Sequence, residues 1–340
     1  MNYKGINYDV GTSTTHGTLS RETFDPQIVR REIEIIQDDL HCNAIRISGQ
    51  DVERLVLAGN FAIQQGLDVW LSPSLPDATE EETLQYFEEC ARAAEDLRKQ
   101  SPTTVLITGV ELTAFMRGLL EGDTPMQRLS TLTNPLRLIK STITKGSFHK
   151  NLNTFLSKAM TAVRQHFHGR ITYASGPWEE VDWSPFDFVG VDYYRDAMNK
   201  KVYEKNLHKY FKHGKPVVIT EFGSCTYKGA EDKGGYGWAV VDWSQTPPQL
   251  NQQLTRDETG QADYLIELLQ VFERGKVEGA FAFTFVSPSY PYHGENIHDL
   301  DIASYSLVKT YEDRRGSTYN DMPWEPKESF FELANYYGTH

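Results

Sequence analysis

Short apolar runs alternate along this chain with longer segments whose apolar residues recur every three or four positions. The short runs are typical of buried strands, and the longer segments are typical of helices that cover a sheet. Before the second run, Asp25 and Pro26 supply an N-cap and a first helical residue, and Val29 and Ile33 follow at helical spacing. The pattern predicts eight strands, at residues 5–10, 43–48, 67–72, 104–111, 170–175, 186–194, 216–221 and 278–286.

Strands that alternate with helices predict an α/β fold, here a single (β/α)8 TIM barrel spanning residues 1–340. No low-complexity linker or change of composition divides the chain, so we expect one domain. Long connections follow the fourth, seventh and eighth strands, at 115–146, 223–256 and 287–323, and all three belong to the face where barrels form active sites. The further predicted helices are 51–65, 79–99, 147–168, 199–213, 257–274 and 325–336.

The composition narrows the range of partners. The chain has 34 Lys and Arg against 47 Asp and Glu, a formal charge of -13, which argues against nucleic acid and against anionic membrane surfaces. A small neutral molecule, such as a carbohydrate, fits better. The three cysteines and the histidines show no zinc-site spacing, so we expect no metal and no cofactor. Without an apolar leader or a long apolar run, the sequence predicts a cytoplasmic protein, and it leaves the oligomeric state open.

Two glutamates stand at the ends of predicted strands. Glu111 ends Val105-Leu-Ile-Thr-Gly-Val-Glu111, the fourth strand, and Glu221 ends Pro216-Val-Val-Ile-Thr-Glu221, the seventh. A carboxylate at the point where a buried strand emerges is held by a rigid element and is open to a ligand. Two such groups at one barrel mouth can share acid and nucleophile roles, which is the chemistry of glycoside hydrolysis.

The element Thr220-Glu221-Phe-Gly resembles the nucleophile motif of the clan of (β/α)8 retaining glycoside hydrolases. That resemblance implies that Glu221 is the nucleophile and Glu111 the acid/base of a retaining double displacement on a small glycoside or oligosaccharide. More narrowly, Glu111-Leu-Thr, Glu221-Phe-Gly-Ser-Cys-Thr-Tyr and Met322-Pro-Trp-Glu-Pro-Lys are similar to bacterial proteins labelled "abortive infection protein", a label that says little about chemistry.

The same resemblance implies supporting residues. Arg46, at the end of the second strand, takes the position of the clan's arginine beside the nucleophile, and Tyr193 and Tyr194 at the end of the sixth strand are placed to donate a hydrogen bond to its carboxylate. One position departs from the pattern, because the clan carries Asn before the acid/base and this chain has Val110. An apolar side chain there cannot bind a sugar hydroxyl.

Aromatic residues near the predicted mouth suit the apolar faces of a sugar ring. The predicted substrate contacts are Trp178, Trp70, Tyr227 and Phe285, the last in the run Phe281–Phe285 that replaces the clan's tryptophan on the eighth strand. His293 is a further candidate for binding a hydroxyl. Its neighbours His298, Asp299 and Asp301 complete a polar loop cluster, of a kind that is more often solvated than metal-binding.

Two other interpretations remain open at this point. A barrel lyase, isomerase or transglycosylase can use the same two carboxylates as proton shuttles, and Val110 favours keeping this alternative. A non-catalytic sugar-binding or phage-defence protein on a barrel scaffold is the other.

Overall fold

The computed structural model describes residues 1–14 and 17–340, and in it eight parallel strands close into a barrel. Each strand pairs with its chain neighbours, and the first closes the barrel against the eighth. The predicted (β/α)8 fold is therefore confirmed. The strands are β1 Tyr3–Asp9, β2 Ala44–Gly49, β3 Asp68–Pro73, β4 Val105–Val110, β5 Arg170–Ser175, β6 Val189–Asp192, β7 Val217–Phe222 and β8 Gly279–Ala282.

Helices lie between most of the strands, and several of them have a side-chain cap at the N-terminus, including the one predicted at Asp25. The Asp25 side chain accepts a hydrogen bond from the Gln27 amide, and Thr79 with Glu82 forms a reciprocal capping box. Every helix within the described ranges is too short or too polar to cross a bilayer. The helices are α1 Pro26–Asp38, α2 Val52–Gln64, α3 Glu80–Gln100, α4 Leu112–Phe115, α5 Pro125–Thr133, α6 Pro135–Lys145, α7 Phe148–Arg164, α8 Tyr203–Leu207, α9 Glu258–Arg274 and α10 Glu328–Thr339.

Three predicted elements are shorter in the structure, and the sixth strand, predicted over 186–194, spans only Val189–Asp192. The helix predicted over 199–213 is reduced to α8 and a short 3-10 turn, because only Tyr203 and Leu207 of this lysine-rich segment supply a buried face. The eighth strand ends at Ala282 instead of Val286. Beyond Ala282 the pairing is irregular: the Phe283 and Phe285 amides still donate to the Phe222 and Asn7 carbonyls, whereas the Thr284 amide donates to the carbonyl of Tyr305 in the following loop.

The barrel interior changes character along its axis. At the N-terminal end the rings of Tyr3, Trp70, Phe188 and Phe281 pack on one another with centroids 5.0–6.3 Å apart. Gly5 is required there, because a Cβ at this position would lie 2.3 Å from the Phe281 ring. Nearer the C-terminal end the interior turns polar, so the aromatic plug forms a floor beneath the polar side chains.

A fully buried lysine ties the long C-terminal loops to the last helix. Lys327 Nζ lies 2.9 Å from Asp301 Oδ1 and donates to Thr226 Oγ1 at 3.0 Å and Ser304 Oγ at 3.2 Å. Arg256 reaches the other Asp301 oxygen at 2.8 Å. Burial lowers the pKa of Lys327, since desolvation disfavours the charged amine. This network fixes the loops after β7 and β8 against α10.

We expect Lys327→Met to reduce the free energy of unfolding by about 2–3 kcal/mol, because breaking a buried ion pair leaves a buried charge undercompensated. Arg256 still contacts Asp301 in this variant, which keeps the loss at the lower end. Urea unfolding followed by circular dichroism measures it. The control is Lys201→Met at an exposed position, which should leave stability unchanged; equal stability of both variants contradicts the assignment.

Candidate active site

Glu221 lies at the C-terminal end of β7 with its carboxylate held by two side chains. Arg46 Nη1 lies 2.7 Å from Glu221 Oε1, and the Tyr194 hydroxyl donates to Oε2 at 3.1 Å. Arg46 is buried, whereas the Glu221 side chain keeps 16% of its surface exposed. The carboxylate is thus bound from below and open above. Its two oxygens have different partners, which fixes the plane of the group.

Arg46 is in turn held rigidly inside the barrel. Its guanidinium donates to Asn7 Oδ1 at 2.9 Å, to the Thr220 carbonyl at 3.0 Å and to Ser72 Oγ at 3.2 Å. Asn7 is itself fixed, because its amide donates to the Thr220 carbonyl at 3.0 Å. A buried guanidinium needs such partners to offset its lost hydration. The arginine therefore serves as a fixed charge at the base of the site.

Glu111 owes its direction to an irregular strand end. The pairing of β4 with β5 shifts register between Ile107 and Val110, where Gly109 adopts a φ of 105°. Glu111 itself has a φ of 41°, a left-handed conformation that is uncommon for a residue with a side chain. Its amide donates to the Ala174 carbonyl at 2.9 Å, so β5 holds the turn in place.

The Glu111 carboxyl is biased towards its protonated form. Burial raises its pKa well above the ordinary value, and the negative charges of Asp192, Glu221 and Glu179 add to the effect, while Arg46 opposes it. These charge interactions run between the ends of β4, β6 and β7. The site therefore combines a carboxylate held by an arginine with a carboxyl group that tends to keep its proton, which is the pairing that acid-assisted displacement requires.

Asp192 is a third acid in the site and was not among the predicted residues. It ends β6, is fully buried, and accepts a hydrogen bond from Thr220 Oγ1 at 2.7 Å, with Arg46 at 3.9 Å. Burial and the charge of Glu221 raise its pKa well above the usual range. Among the described residues, Asp192 Oδ2 is buried and has no hydrogen-bond partner.

Glu179 connects the residues that follow β4 with the end of β5. Its Oε1 accepts from the amide and the hydroxyl of Thr113, at 3.1 and 2.6 Å. Its Oε2 accepts from the Tyr173 hydroxyl at 2.8 Å and the Gly176 amide at 3.1 Å. The Tyr173 hydroxyl also accepts from the Leu112 amide at 2.7 Å. Because Leu112 and Thr113 directly follow Glu111, this network fixes its turn. Burial raises the pKa of Glu179 to about 7.

Of the two predicted tyrosines, only Tyr194 contacts Glu221. The expectation that Tyr193 donates to this carboxylate is wrong, because its hydroxyl donates to the Tyr203 carbonyl at 2.7 Å and its ring stacks on Tyr203. Both tyrosines lie just beyond β6, and their side chains point in different directions, so that only Tyr194 reaches Glu221. Tyr193 instead packs β6 against α8.

Most of the predicted sugar-binding aromatics are structural. Trp70 belongs to the interior floor, Tyr227 is buried with its hydroxyl on the Gly237 carbonyl at 3.0 Å, and Phe285 is fully buried against Trp324. These three predictions are wrong, since no face of these rings is free. Trp178 is half-buried beside the site, where its indole donates to Thr113 Oγ1 at 3.0 Å. Trp178 stays a candidate for substrate contact.

His293 is exposed on the loop after β8, and its ring accepts a hydrogen bond from the Glu295 amide at 3.0 Å. Its neighbours Asp299 and Asp301 bind Arg256, each at 2.8 Å. Among residues 1–14 and 17–340, no group of three or more His, Cys, Asp or Glu side chains is arranged to hold a metal ion. The polar cluster is an ion-pair network that supports the loop.

The two missed acids differ in how visible they are from sequence. Asp192 ends the run Val189-Gly-Val-Asp192 just as Glu111 and Glu221 end theirs, so the same signal applied to β6 identifies it. Glu179 stands in an irregular segment four residues beyond β5. Its role depends on contacts with the end of β4, and no local pattern reports such contacts.

Comparison with known proteins shows that this chain is similar in fold to solved glycoside hydrolase structures. No family model matches the sequence, and no curated protein matches it. Among solved structures, a GH113 beta-1,4-mannanase gives a TM-score of 0.64 at 13% identity over 100% of both chains. The GH113 beta-mannanase AaManA from Alicyclobacillus acidocaldarius gives 0.61 at 12% identity, over 99% of this chain and 97% of that one. A beta-glucosidase, 1317, gives 0.58 at 12% identity, over 100% and 98%. The chain shares the barrel of these enzymes.

We expect Glu221→Gln to lower the pKa of Glu111 by about one unit or more, because the substitution removes a nearby negative charge. Carbon-13 NMR of the labelled glutamate carboxyls, assigned with Glu111→Gln, measures this without a substrate. Glu53→Gln on the exposed surface of α2 is the control and should leave the titration unchanged. An identical Glu111 titration in the wild type and in Glu221→Gln shows that the two groups do not interact.

The raised pKa of Glu179 predicts a loss of stability with rising pH. Between pH 4.5 and about 7 the unfolded chain releases this proton more readily than the folded one, so the free energy of unfolding falls. A shift of this size corresponds to roughly 3 kcal/mol. Urea unfolding at pH 5 and pH 8 should show a smaller decrease for Glu179→Gln, which cannot ionise, than for the wild type or Glu53→Gln. A decrease of the same size in all three proteins contradicts it.

Proposed function

We propose that this protein is a glycoside hydrolase that cleaves its substrate with net retention. The observation that carries the proposal is the Glu221 carboxylate, which is held by Arg46 at 2.7 Å and Tyr194 at 3.1 Å. Its negative charge, together with burial, raises the pKa of Glu111. The similarity of fold to mannanases and a glucosidase supports the same reaction class. The proposed substrate is a small β-linked mannoside or glucoside.

In the proposed first step, a Glu221 oxygen attacks the anomeric carbon while Glu111 donates its proton to the departing glycosidic oxygen. The C–O bond to the leaving group breaks, and a glycosyl ester of Glu221 forms. Arg46 and Tyr194 direct the attacking oxygen and limit its rotation. A raised pKa of Glu111 keeps the required proton available at neutral pH.

In the second step Glu111 acts as a base. By this point the proton of Glu111 has left with the alcohol. The esterified Glu221 carries no charge, so one of the interactions that raise the pKa of Glu111 is gone. The Glu111 carboxylate then takes a proton from water, and the hydroxyl attacks the anomeric carbon. Glu221 is released as a carboxylate, and Arg46 stabilises the returning charge.

The side chains around Glu111 and Glu221 that are available to a substrate differ in polarity. Val110, directly before Glu111, packs against the apolar interior and offers no hydrogen bond to a sugar. Tyr236 is 43% exposed; partial burial raises its pKa, and the charge of Glu111 adds a smaller effect. We assign the hydroxyl contacts on this side to Tyr236, and an apolar stacking contact to Trp178.

A panel of 4-nitrophenyl glycosides, with the β-mannoside and β-glucoside first, tests the proposal. We expect Glu221→Gln to reduce kcat/KM by about a thousandfold or more, because removal of a nucleophile abolishes the covalent route. Glu53→Gln should match the wild type. A 2-deoxy-2-fluoro glycoside should label Glu221, as detected by mass spectrometry of the peptides.

Two results contradict this function. If neither the α- nor the β-glycosides of the panel are hydrolysed in a Glu221-dependent way, the protein is not a glycosidase for those sugars. If hydrolysis occurs and proton NMR shows that the product anomer is inverted, Glu221 is not a covalent nucleophile. A lyase or isomerase would instead consume the glycoside without the Glu221 label.

A further inference from the structure

Helix α6 turns its apolar side chains away from the protein. Leu136, Ile139 and Ile143 are 79%, 58% and 80% exposed, although their spacing of three and four places them on one helical face. The opposite face contacts the protein through Ser141, which is buried and accepts a hydrogen bond from the Glu121 amide at 3.0 Å. In an ordinary surface helix the apolar face points inward. Here an apolar stripe points outward.

The same part of the chain is strongly basic. Residues 124–178 contain eight Lys and Arg and no Asp or Glu, so the rest of the chain carries -21 against -13 for the whole. Arg137, Lys140 and Lys145 on α6 and Lys150 in the first turn of α7 are exposed, and of these Lys140 is paired with Glu121 at 2.8 Å. The stripe is therefore flanked by cations. The prediction that excluded membranes used the chain-wide charge, which conceals this local excess.

A second exposed apolar group follows β6. Met198 is 91% exposed, Val202 is also exposed, and Lys200 and Lys201 lie between them. Met198 stands six residues after the end of β6. The amide of the preceding Ala197 donates to the Asp232 carbonyl in the loop after β7. Both apolar groups thus belong to connections that leave the C-terminal end of the barrel. This is the end where Glu111 and Glu221 lie.

We propose that this face docks on an anionic phospholipid surface, with Leu136, Ile139 and Ile143 inserted among the acyl chains and the adjacent lysines and arginines at the headgroups. An apolar stripe with basic flanks is the pattern of a helix that lies in a membrane interface. A second copy fits less well, since α6 packed on α6 would bring the basic residues that flank the two stripes, Arg137 and Lys145, into one interface. The docking orients the barrel mouth towards the lipid, and it does not depend on the proposed reaction.

The test is flotation of the full chain with vesicles of phosphatidylcholine alone and of phosphatidylcholine with 30% phosphatidylglycerol. One variant combines Leu136→Ser, Ile139→Ser and Ile143→Ser, and a second combines Arg137→Glu with Lys145→Glu. The matched control is Phe331→Ser, because Phe331 is also an exposed apolar residue but lies on α10. All positions are exposed, and circular dichroism with urea unfolding checks that each variant is folded like the wild type.

We expect the wild type to float with the phosphatidylglycerol vesicles and to dissociate as salt is raised. Each α6 variant should lose roughly tenfold or more in partitioning, and Phe331→Ser should lose none. Absence of wild-type binding, or binding that both α6 variants retain, overturns the proposal. A concentration-dependent dimer in sedimentation that the serine variant abolishes also overturns the proposal, because the stripe is then an interface between copies. A complex with an acidic protein in place of lipid overturns it as well.

Discussion

The ion pair between Arg46 and Glu221 is the constraint on which the site depends. A guanidinium inside a barrel loses its hydration, and the protein offsets this with Asn7, Ser72 and the Thr220 carbonyl as well as the carboxylate. Asp192 lies 3.9 Å from the same guanidinium, and burial raises the pKa values of Asp192, Glu111 and Glu179. The charge of Glu221 adds to the effect on Glu111 and Asp192, so the carboxyl groups at the strand ends influence one another.

Irregular strand ends deliver the acids to the mouth. The β4–β5 pairing shifts register beside Glu111, and the β6–β7 pairing shifts where Asp192 meets Glu221. Such bulges redirect a side chain that regular pairing would aim elsewhere. The left-handed turn at Glu111 is uncommon, and Glu179 with Tyr173 holds it through the amides of Thr113 and Leu112. These hydrogen bonds thus hold an uncommon backbone conformation that orients one carboxyl group.

The loops around the mouth divide into two kinds. Those after β7 and β8 are fixed by the buried network of Lys327, Asp301 and Arg256, which ties them to α10. The connection after β4 carries α6, which contacts the protein through a narrow face and presents an apolar stripe with basic flanks. A chain of formal charge -13 therefore has one basic edge beside its carboxylate-lined centre. The two charge patterns lie at the same end of the barrel and suit ligands of different chemistry.

The sequence by itself determined the eight strands, the barrel and the position of Glu111 and Glu221 at strand ends, because buried parallel strands are continuous apolar runs and their last residues must emerge at one face. The resemblance to the glycoside hydrolase clan implied Arg46 and Tyr194 beside Glu221, and both contact it. Only the tertiary structure decided that Trp70, Tyr227 and Phe285 are core, that Tyr193 faces α8, and that Glu179 belongs to the site. These outcomes depend on which way each side chain points and on contacts between distant strand ends. Both are set by register shifts and by packing across the barrel, which leave no mark in the local pattern of residues.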